Sequence, residues 1–300
     1  MIHTLDLQFH VSQSIAAFVV ESSAGPILVE TGPHSTYQTL CEGLAGLGYQ
    51  PEDVRHVLLS HIHFDHAGAA WAFAKSGATV YVHPRGWKHL QDPTRLYNSA
   101  KRIYGDQMEA LWGLMEQIEP EKLIAVEDEQ QIGIGDKSFT AWHTPGHASH
   151  HIVWQLEDVV FTGDVAGCKV GKGPVVPPCP PPDINLEDWE NSIAVLRKLN
   201  PSSIYLTHFG EVKDVSNHLD ALSSILWDWA NWMKPHWEAG KQVLEVVPAF
   251  KAYAAAQLAE AGVPDADIPK YEAANPAWMS VAGLMRYWQK KAEASAASPT

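Results

Sequence analysis

Apolar residues in this chain recur with two periods, and the order in which those periods alternate sketches the fold. Residues 15–21 and 27–30 are short apolar runs joined by Ser22-Ser23-Ala24-Gly25-Pro26, which reads as two strands and a turn. Helical spacing follows over 35–47 and stops at Gly48. A strand over 54–60, a helix over 68–75 that ends near Gly77, and a strand over 80–83 continue the sheet-then-helix rhythm. Residues 84–121 interrupt it. Trp87, Tyr97, Tyr104 and Trp112 stand there among leucines and methionines at helical spacing, which predicts a helical insertion whose aromatics mostly fill a core between helices.

The second half repeats the plan. Strands over 131–134 and 138–143 flank Gly135-Asp136, and strands over 152–156 and 159–162 flank Glu157-Asp158, both hairpin signatures. Asn185 caps a helix over 186–199 whose stripe Trp189, Ile193 and Leu196 faces inward, and a strand over 204–206 comes after it. Two such halves packed face to face predict an α/β (α+β) fold in four layers: helix, sheet, sheet, helix. Between them, residues 167–182 are too rich in glycine and proline for a helix. That loop is expected to run extended, either as a rigid connector or as a pocket wall on which Lys169 or Lys172 meets an anion.

Length changes the picture by adding a second region. A chain of 300 residues, 46% of them hydrophobic, exceeds what one core usually organises. The expected division is a catalytic body over 1–211 and a helical extension over 212–300. The extension carries Trp227, Trp229, Trp232, Trp237, Trp278 and Trp288; the first three fan around one helix, which suggests an apolar cap or a homodimer face. The tail over 292–300 is small and polar and is expected to be disordered.

A formal net charge of −14 makes a nucleic-acid partner unexpected, because an acidic surface repels phosphate backbones. Neither a secretory leader nor a membrane span is read from the chain. Cys41, Cys168 and Cys179 have no paired spacing, so reduced thiols and a cytoplasmic location are expected, with Cys168 most simply a small buried hydrophobe.

Chemistry is concentrated in His61-Ile62-His63-Phe64-Asp65-His66, directly after the apolar run Val57-Leu58-Leu59. A strand and a sharp turn can aim His61 and His63 at one point, and Asp65 and His66 at a second point nearby. Further candidates each follow a strand: His147 behind Thr144-Pro145-Gly146, Asp164 behind Gly163, and His208 behind the strand over 204–206. Isolated histidines are usually hydrogen-bonded core residues, but number and order speak against that here. Ligands at successive strand ends converge on one rim of a sheet. Imidazole and carboxylate without thiolate suit zinc, iron or manganese in an open site rather than a closed structural one.

This arrangement resembles the metallo-β-lactamase superfamily, whose pattern is HxHxDH, a single His, a bridging Asp and a last His; the positions are all filled between about Ile15 and His208. The resemblance implies that His61, His63 and His147 hold one divalent ion, that Asp65, His66 and His208 hold a second, and that Asp164 bridges them. Zinc is the first expectation, with iron or manganese as alternatives. The chain departs from the family at Glu30-Thr31-Gly32, where an Asp usually precedes Thr-Gly. It also departs after the bridging Asp. Val165-Ala166-Gly167-Cys168-Lys169 lacks the Cys-Gly-Arg-like stretch of hydroxyacylglutathione hydrolases, and Gly167 stands where acyl-homoserine lactonases often have Tyr. The branch, glyoxalase II-like or lactonase-like, is therefore open.

The activity implied is binuclear hydrolysis of a small ester, thioester or lactone by a hydroxide bridging the two ions, with Asp65 orienting the water and handling its proton. The alternatives are an iron-dependent persulfide dioxygenase, a phosphodiesterase and a non-hydrolytic metal-binding module.

Overall fold

The computed structural model of the chain describes residues 1–297. Two six-stranded sheets face each other. The first contains β1 (Ile2–Asp6), β2 (Ala16–Ser22), β3 (Gly25–Val29), β4 (His56–Leu58), β5 (Thr79–Val82) and β6 (Leu123–Ala125), in that spatial order. The second contains β7 (Gln131–Ile134), β8 (Lys137–His143), β9 (Ile152–Leu156), β10 (Val159–Gly163), β11 (Ser203–Leu206) and β12 (Gly210–Val212), in the reverse spatial order. Parallel pairing runs through β3, β4, β5 and β6, as the intervening helices require, and β10 pairs parallel with β11 across a helix.

Strand alternation explains the layering. In β2, Ala16, Phe18 and Val20 enter the core between the sheets, while Ala17 and Val19 face the helices of the first layer. Ile152, Trp154 and Leu156 of β9 meet them from the second sheet, while Val153 turns outward to the last layer. A side-chain period of two thus builds three apolar interfaces from two sheets. The expected four-layered sandwich is what the chain forms.

The first helical layer is α1 (Tyr37–Gly46), with α2 (Phe64–Ala67) and α3 (Ala70–Lys75) after β4. The insertion is helical as expected, comprising α4 (Pro84–Gln91), α5 (Thr94–Tyr104) and α6 (Met108–Trp112). On the far side lies α7 (Leu186–Leu199), where the Asn185 side chain caps the Asp188 N–H at 3.1 Å. Beyond the sheets run α8 (Val215–Glu238), α9 (Val243–Glu260), α10 (Ile268–Ala274) and α11 (Ala277–Ala297).

The indoles of α8 fan out as their spacing requires, and each meets its own chain. Trp229 is buried and donates to Gln257 Oε1 at 2.8 Å, Trp227 donates to Glu190 Oε1 on α7 at 2.9 Å, and Trp232 stacks on Tyr253 of α9 at 5.1 Å. These helices share one continuous core with α7 and the outer face of the second sheet. The tail departs from expectation: helix α11 continues through Ala297, because alternating alanines favour helix and Gln289 bonds Glu293 one turn on at 2.9 Å. The remainder of that expected disorder lies outside the described residues. Among the described residues, no helix is long and apolar enough to cross a membrane.

Candidate metal centre

Four chain segments reach one edge of the sandwich. His61 and His63 leave the end of β4, and the single turn of α2 then presents Asp65 and His66. His147 sits in the turn between β8 and β9, Asp164 follows β10, and His208 follows β11. Hydrogen bonds across the two sheets hold these ends together: Ile152 N–H to Ser60 O at 2.7 Å, Ala16 N–H to Thr207 O at 2.8 Å, and Trp154 Nε1–H to Leu59 O at 3.0 Å. Close approach at this seam explains Gly163, with φ +49°. A Cβ there would lie 2.5 Å from the Ser60 side chain, so any larger residue would force the Asp164 strand end away from the His61 strand end.

The sequence-predicted ligands all meet. His63 Nδ1 lies 2.9 Å from His61 Nε2 and 3.2 Å from His147 Nε2. Imidazole nitrogens at roughly 2.0–2.1 Å from one tetrahedral zinc ion would be about 3.4 Å apart, close to this spacing. The second group is formed by Asp65 Oδ2, 3.5 Å from His208 Nε2 and 3.7 Å from His66 Nε2. Asp164 faces both groups. Its Oδ2 is 3.3 Å from His147 Nε2, and its Oδ1 is 3.2 Å from His66 Nε2 and 3.3 Å from His208 Nε2.

Around this shell lie contacts that sequence reasoning missed. His147 Nδ1 donates to Pro178 O at 2.8 Å and His208 Nδ1 donates to Ser14 O at 2.6 Å. A carbonyl oxygen only accepts, so in its neutral form, the one a metal requires, each ring keeps its proton on Nδ1 and turns the Nε2 lone pair toward the centre. Glu30, buried and in the left-handed region at φ 64°, accepts from Ser60 N–H at 3.1 Å and places Oε2 3.4 Å from His66 Nδ1. The longer acid at the Asp-Thr-Gly position thus reaches a ligand's far side. His151 accepts from Asp164 N–H through Nε2 at 3.2 Å and pairs its other nitrogen with Thr144 Oγ1 at 2.9 Å. Its signal was the extra pair His150-His151 directly behind His147; the two carbonyls had none.

Two expectations for the loop over 167–182 resolve differently. It is free of helix, as predicted, but the Lys169 ammonium is tied to Gly173 O within the loop, and Lys172 is solvent-exposed. Cys168 is buried in the outer core, where burial and then the Asp164 charge push its thiol up. It packs as an apolar residue.

Electrostatics test whether cations fit. Burial and the adjacent imidazoles hold His61 well below the usual histidine range, burial and His147 bring His63 to about 4, and burial lowers His147 although Asp164 opposes it. These three rings are neutral at neutral pH, the form a metal requires. Burial also opposes charge on His66, yet Asp164, Asp65 and Glu30 outweigh it and raise this ring well above its ordinary value. Three carboxylates around the second group therefore call for positive charge. His66 Nε2, His208 Nε2 and Asp164 Oδ1 are buried and hydrogen-bond to no protein group, although all three face the centre. Buried polar atoms left this way are costly unless something else binds them. The donor set fits divalent metal ions.

The profile of the Metallo-beta-lactamase superfamily matches residues 13–208. With the sandwich and this histidine–carboxylate edge, the match shows that the chain belongs to that superfamily. A metallo-beta-lactamase fold-containing protein of Sulfurisphaera tokodaii is 30% identical over 181 residues, covering 56% of this chain and 66% of that protein, just under two-thirds of its length. An N-acyl homoserine lactonase of Bacillus cereus is 35% identical over 82 residues, covering 20% of this chain and 33% of that one. The crystal structure of a metallo-beta-lactamase family protein from Thermus thermophilus superposes with a TM-score of 0.73 at 19% identity, covering 97% of this chain and 94% of that one. Its likeness extends the shared fold over the C-terminal helices.

Proposed function

We propose that this protein is a binuclear metallohydrolase that cleaves a small ester, thioester or lactone. The observation that carries the reading is Asp164 facing His147 with one oxygen and His66 and His208 with the other. A carboxylate so placed suits a bridge between a His61, His63, His147 group and an Asp65, His66, His208 group. We assign zinc to both, since a mixed imidazole and carboxylate set with open positions is its usual catalytic environment. Two such ions supply electrophilic activation of the substrate carbonyl and of water at neutral pH.

The remaining work falls to residues. Among the second group, Asp65 is the solvent-accessible member at 21% exposure, whereas His66 and His208 are buried. Burial pushes its carboxyl up, but His66 and His208 more than reverse this and leave it at about 2, so it is ionised at neutral pH. Its carboxylate accepts a proton from the attacking water and delivers it to the departing alcohol or thiol. Beside it, an aromatic wall suits an apolar acyl group. Trp112 lies 5.3 Å from Phe9, 6.0 Å from Phe64 and 5.4 Å from Tyr104, and Tyr104 reaches Trp278 of the extension at 6.0 Å. The Bacillus similarity gives lactones a place in the panel.

The test combines a metal count with product analysis. Zinc-loaded protein is expected to hold two ions per chain and to release acid from aryl esters, thioesters or acyl lactones, with no oxygen consumption. One iron per chain with oxygen uptake would overturn the proposal in favour of a persulfide dioxygenase.

A further inference from the structure

The loop over 167–182 connects the metal-centre edge to the C-terminal helices, and those helices grip it at four places, one of them Lys290 Nζ donating to Pro182 O at the loop's end. Tyr271 Oη donates to Pro174 O at 2.7 Å and accepts from Val170 N–H at 3.3 Å. Asn275 Nδ2 donates to Pro177 O at 3.0 Å, and its own Oδ1 is fixed by Ser280 Oγ at 3.0 Å. Gly283 of α11 packs so closely on the loop that a Cβ there would stand 1.9 Å from Cys179 O. Asn275 and Cys179 are both buried. The carbonyl between these two grips is Pro178 O, the partner of His147 Nδ1. A proline-rich segment has no N–H groups at Pro177, Pro178 and Pro180 with which to anchor itself, so outside donors must set its carbonyls.

We infer that Asn275 and Gly283 are positioning residues for the metal centre: they fix the Pro177–Cys179 backbone so that Pro178 O orients the His147 ring. This rests on the reading of His147 as a metal ligand. The extension then acts on the His147 ring through the Pro178 carbonyl. Partners one step removed from a ligand typically change metal affinity by about 10- to 100-fold when lost.

The test uses the full chain and zinc alone, with affinity measured by competition against a chromophoric chelator and thermal melting measured separately on chelated protein. Asn275→Leu keeps the branched heavy-atom shape but removes the donor to Pro177 O and the acceptor for Ser280. Gly283→Ala pushes Cys179 by steric contact. Tyr253→Phe is the control, because it deletes a hydrogen bond to Asp228, at 2.6 Å, within the same helices and away from the loop. Both loop variants are expected to bind one zinc equivalent at least about tenfold more weakly. The control should bind both equivalents as the parent does, even where its melting temperature falls as far. With cobalt(II) in place of zinc, the loop variants should also alter the ligand-field absorption, and the control should not. Should Gly283→Ala fail to fold, Asn275→Leu decides alone. Parent-like affinity and spectrum in Asn275→Leu would overturn the inference, as would an equal loss in Tyr253→Phe, which would make affinity a mere consequence of stability. His147→Ala separates the two readings: if it retains both zinc equivalents, the ligand assignment falls and the clamp with it, whereas loss of one equivalent there but not in Asn275→Leu sinks the clamp alone.

Discussion

Replacing Glu30 by Gln removes a buried charge while preserving shape, and the structure sets what that should cost. Of the two oxygens of Glu30, Oε1 accepts from Ser60 N–H at 3.1 Å, and Oε2, which makes no hydrogen bond, lies 3.4 Å from His66 Nδ1 as an ion-pair contact. A glutamine has one accepting oxygen, so whichever way its amide turns, an NH2 group confronts Ser60 N–H or the His66 ring. A charge-assisted bond of about 1.5–3 kcal/mol becomes a neutral one of about 1 kcal/mol, and a second contact is lost, for a combined effect of about 1–3 kcal/mol. His66 is also left with a weaker partner on its far side, which should loosen the ion it holds by about 10- to 100-fold. Chelator competition and thermal melting of zinc-free protein would read the two effects separately. Glu30→Asp retains the charge but is shorter by one methylene, about 1.5 Å, and should fall between parent and Glu30→Gln. Zinc affinity within twofold of the parent in Glu30→Gln would refute the reasoning, since the carboxylate would then contribute nothing that an amide cannot.

Asp65→Asn is expected to lower turnover by about 10²–10⁴-fold while a non-cleavable substrate analogue binds nearly as before, because the amide cannot take a proton; unchanged turnover at pH 7 would remove its proton-handling role. Burial holds His218 down at about 4 although the Ala166 carbonyl, 2.7 Å from its Nε2, opposes that shift. The unfolded chain therefore binds a proton near pH 6.5 that the folded chain refuses, so stability is complete above that pH and falls by up to about 1.4 kcal/mol per unit on the way down to 4. Urea melts at pH 7 and pH 5 should show a shallower acid loss in His218→Gln, and an identical loss would contradict this. Cys168 and Cys179 are buried and pushed up by burial, whereas Cys41 is half-buried. A disulfide reagent at pH 8 should therefore label at most Cys41 in native protein and all three thiols only in denaturant.

The clustering of the candidate ligand residues was legible because the information is local. Four stand within one hexapeptide and the others directly behind apolar runs, so neither distance nor topology had to be known. The sandwich was legible from the apolar runs of β2, β9 and β10 and the turn residues between them. Where such a run is absent the reading failed: β1 has no buried residue, and β6 and β12 are three residues long, defined by the strands they pair with rather than by their own pattern. The strand expected over 54–60 is ladder only over His56–Leu58, since the following residues turn into the metal edge. The α2 turn hides inside the ligand motif itself. Least legible were Ser14 O and Pro178 O, because every residue has a carbonyl and only the folded path selects two of them to hold histidine protons.

The seam between the sheets also imposes an order in time. His61 and His63 leave a ribosome before His147, Asp164 and His208, which come from the other half, and the helices that grip the Pro178 segment follow all five. A nascent first half carrying HxHxDH has donors without a cage. Such a half would hold a divalent ion only weakly, and the cage would close only when the second sheet docks and brings in Asp164. A divalent ion bound at the assembled centre would add to the folded chain a stabilisation that grows with the logarithm of free metal.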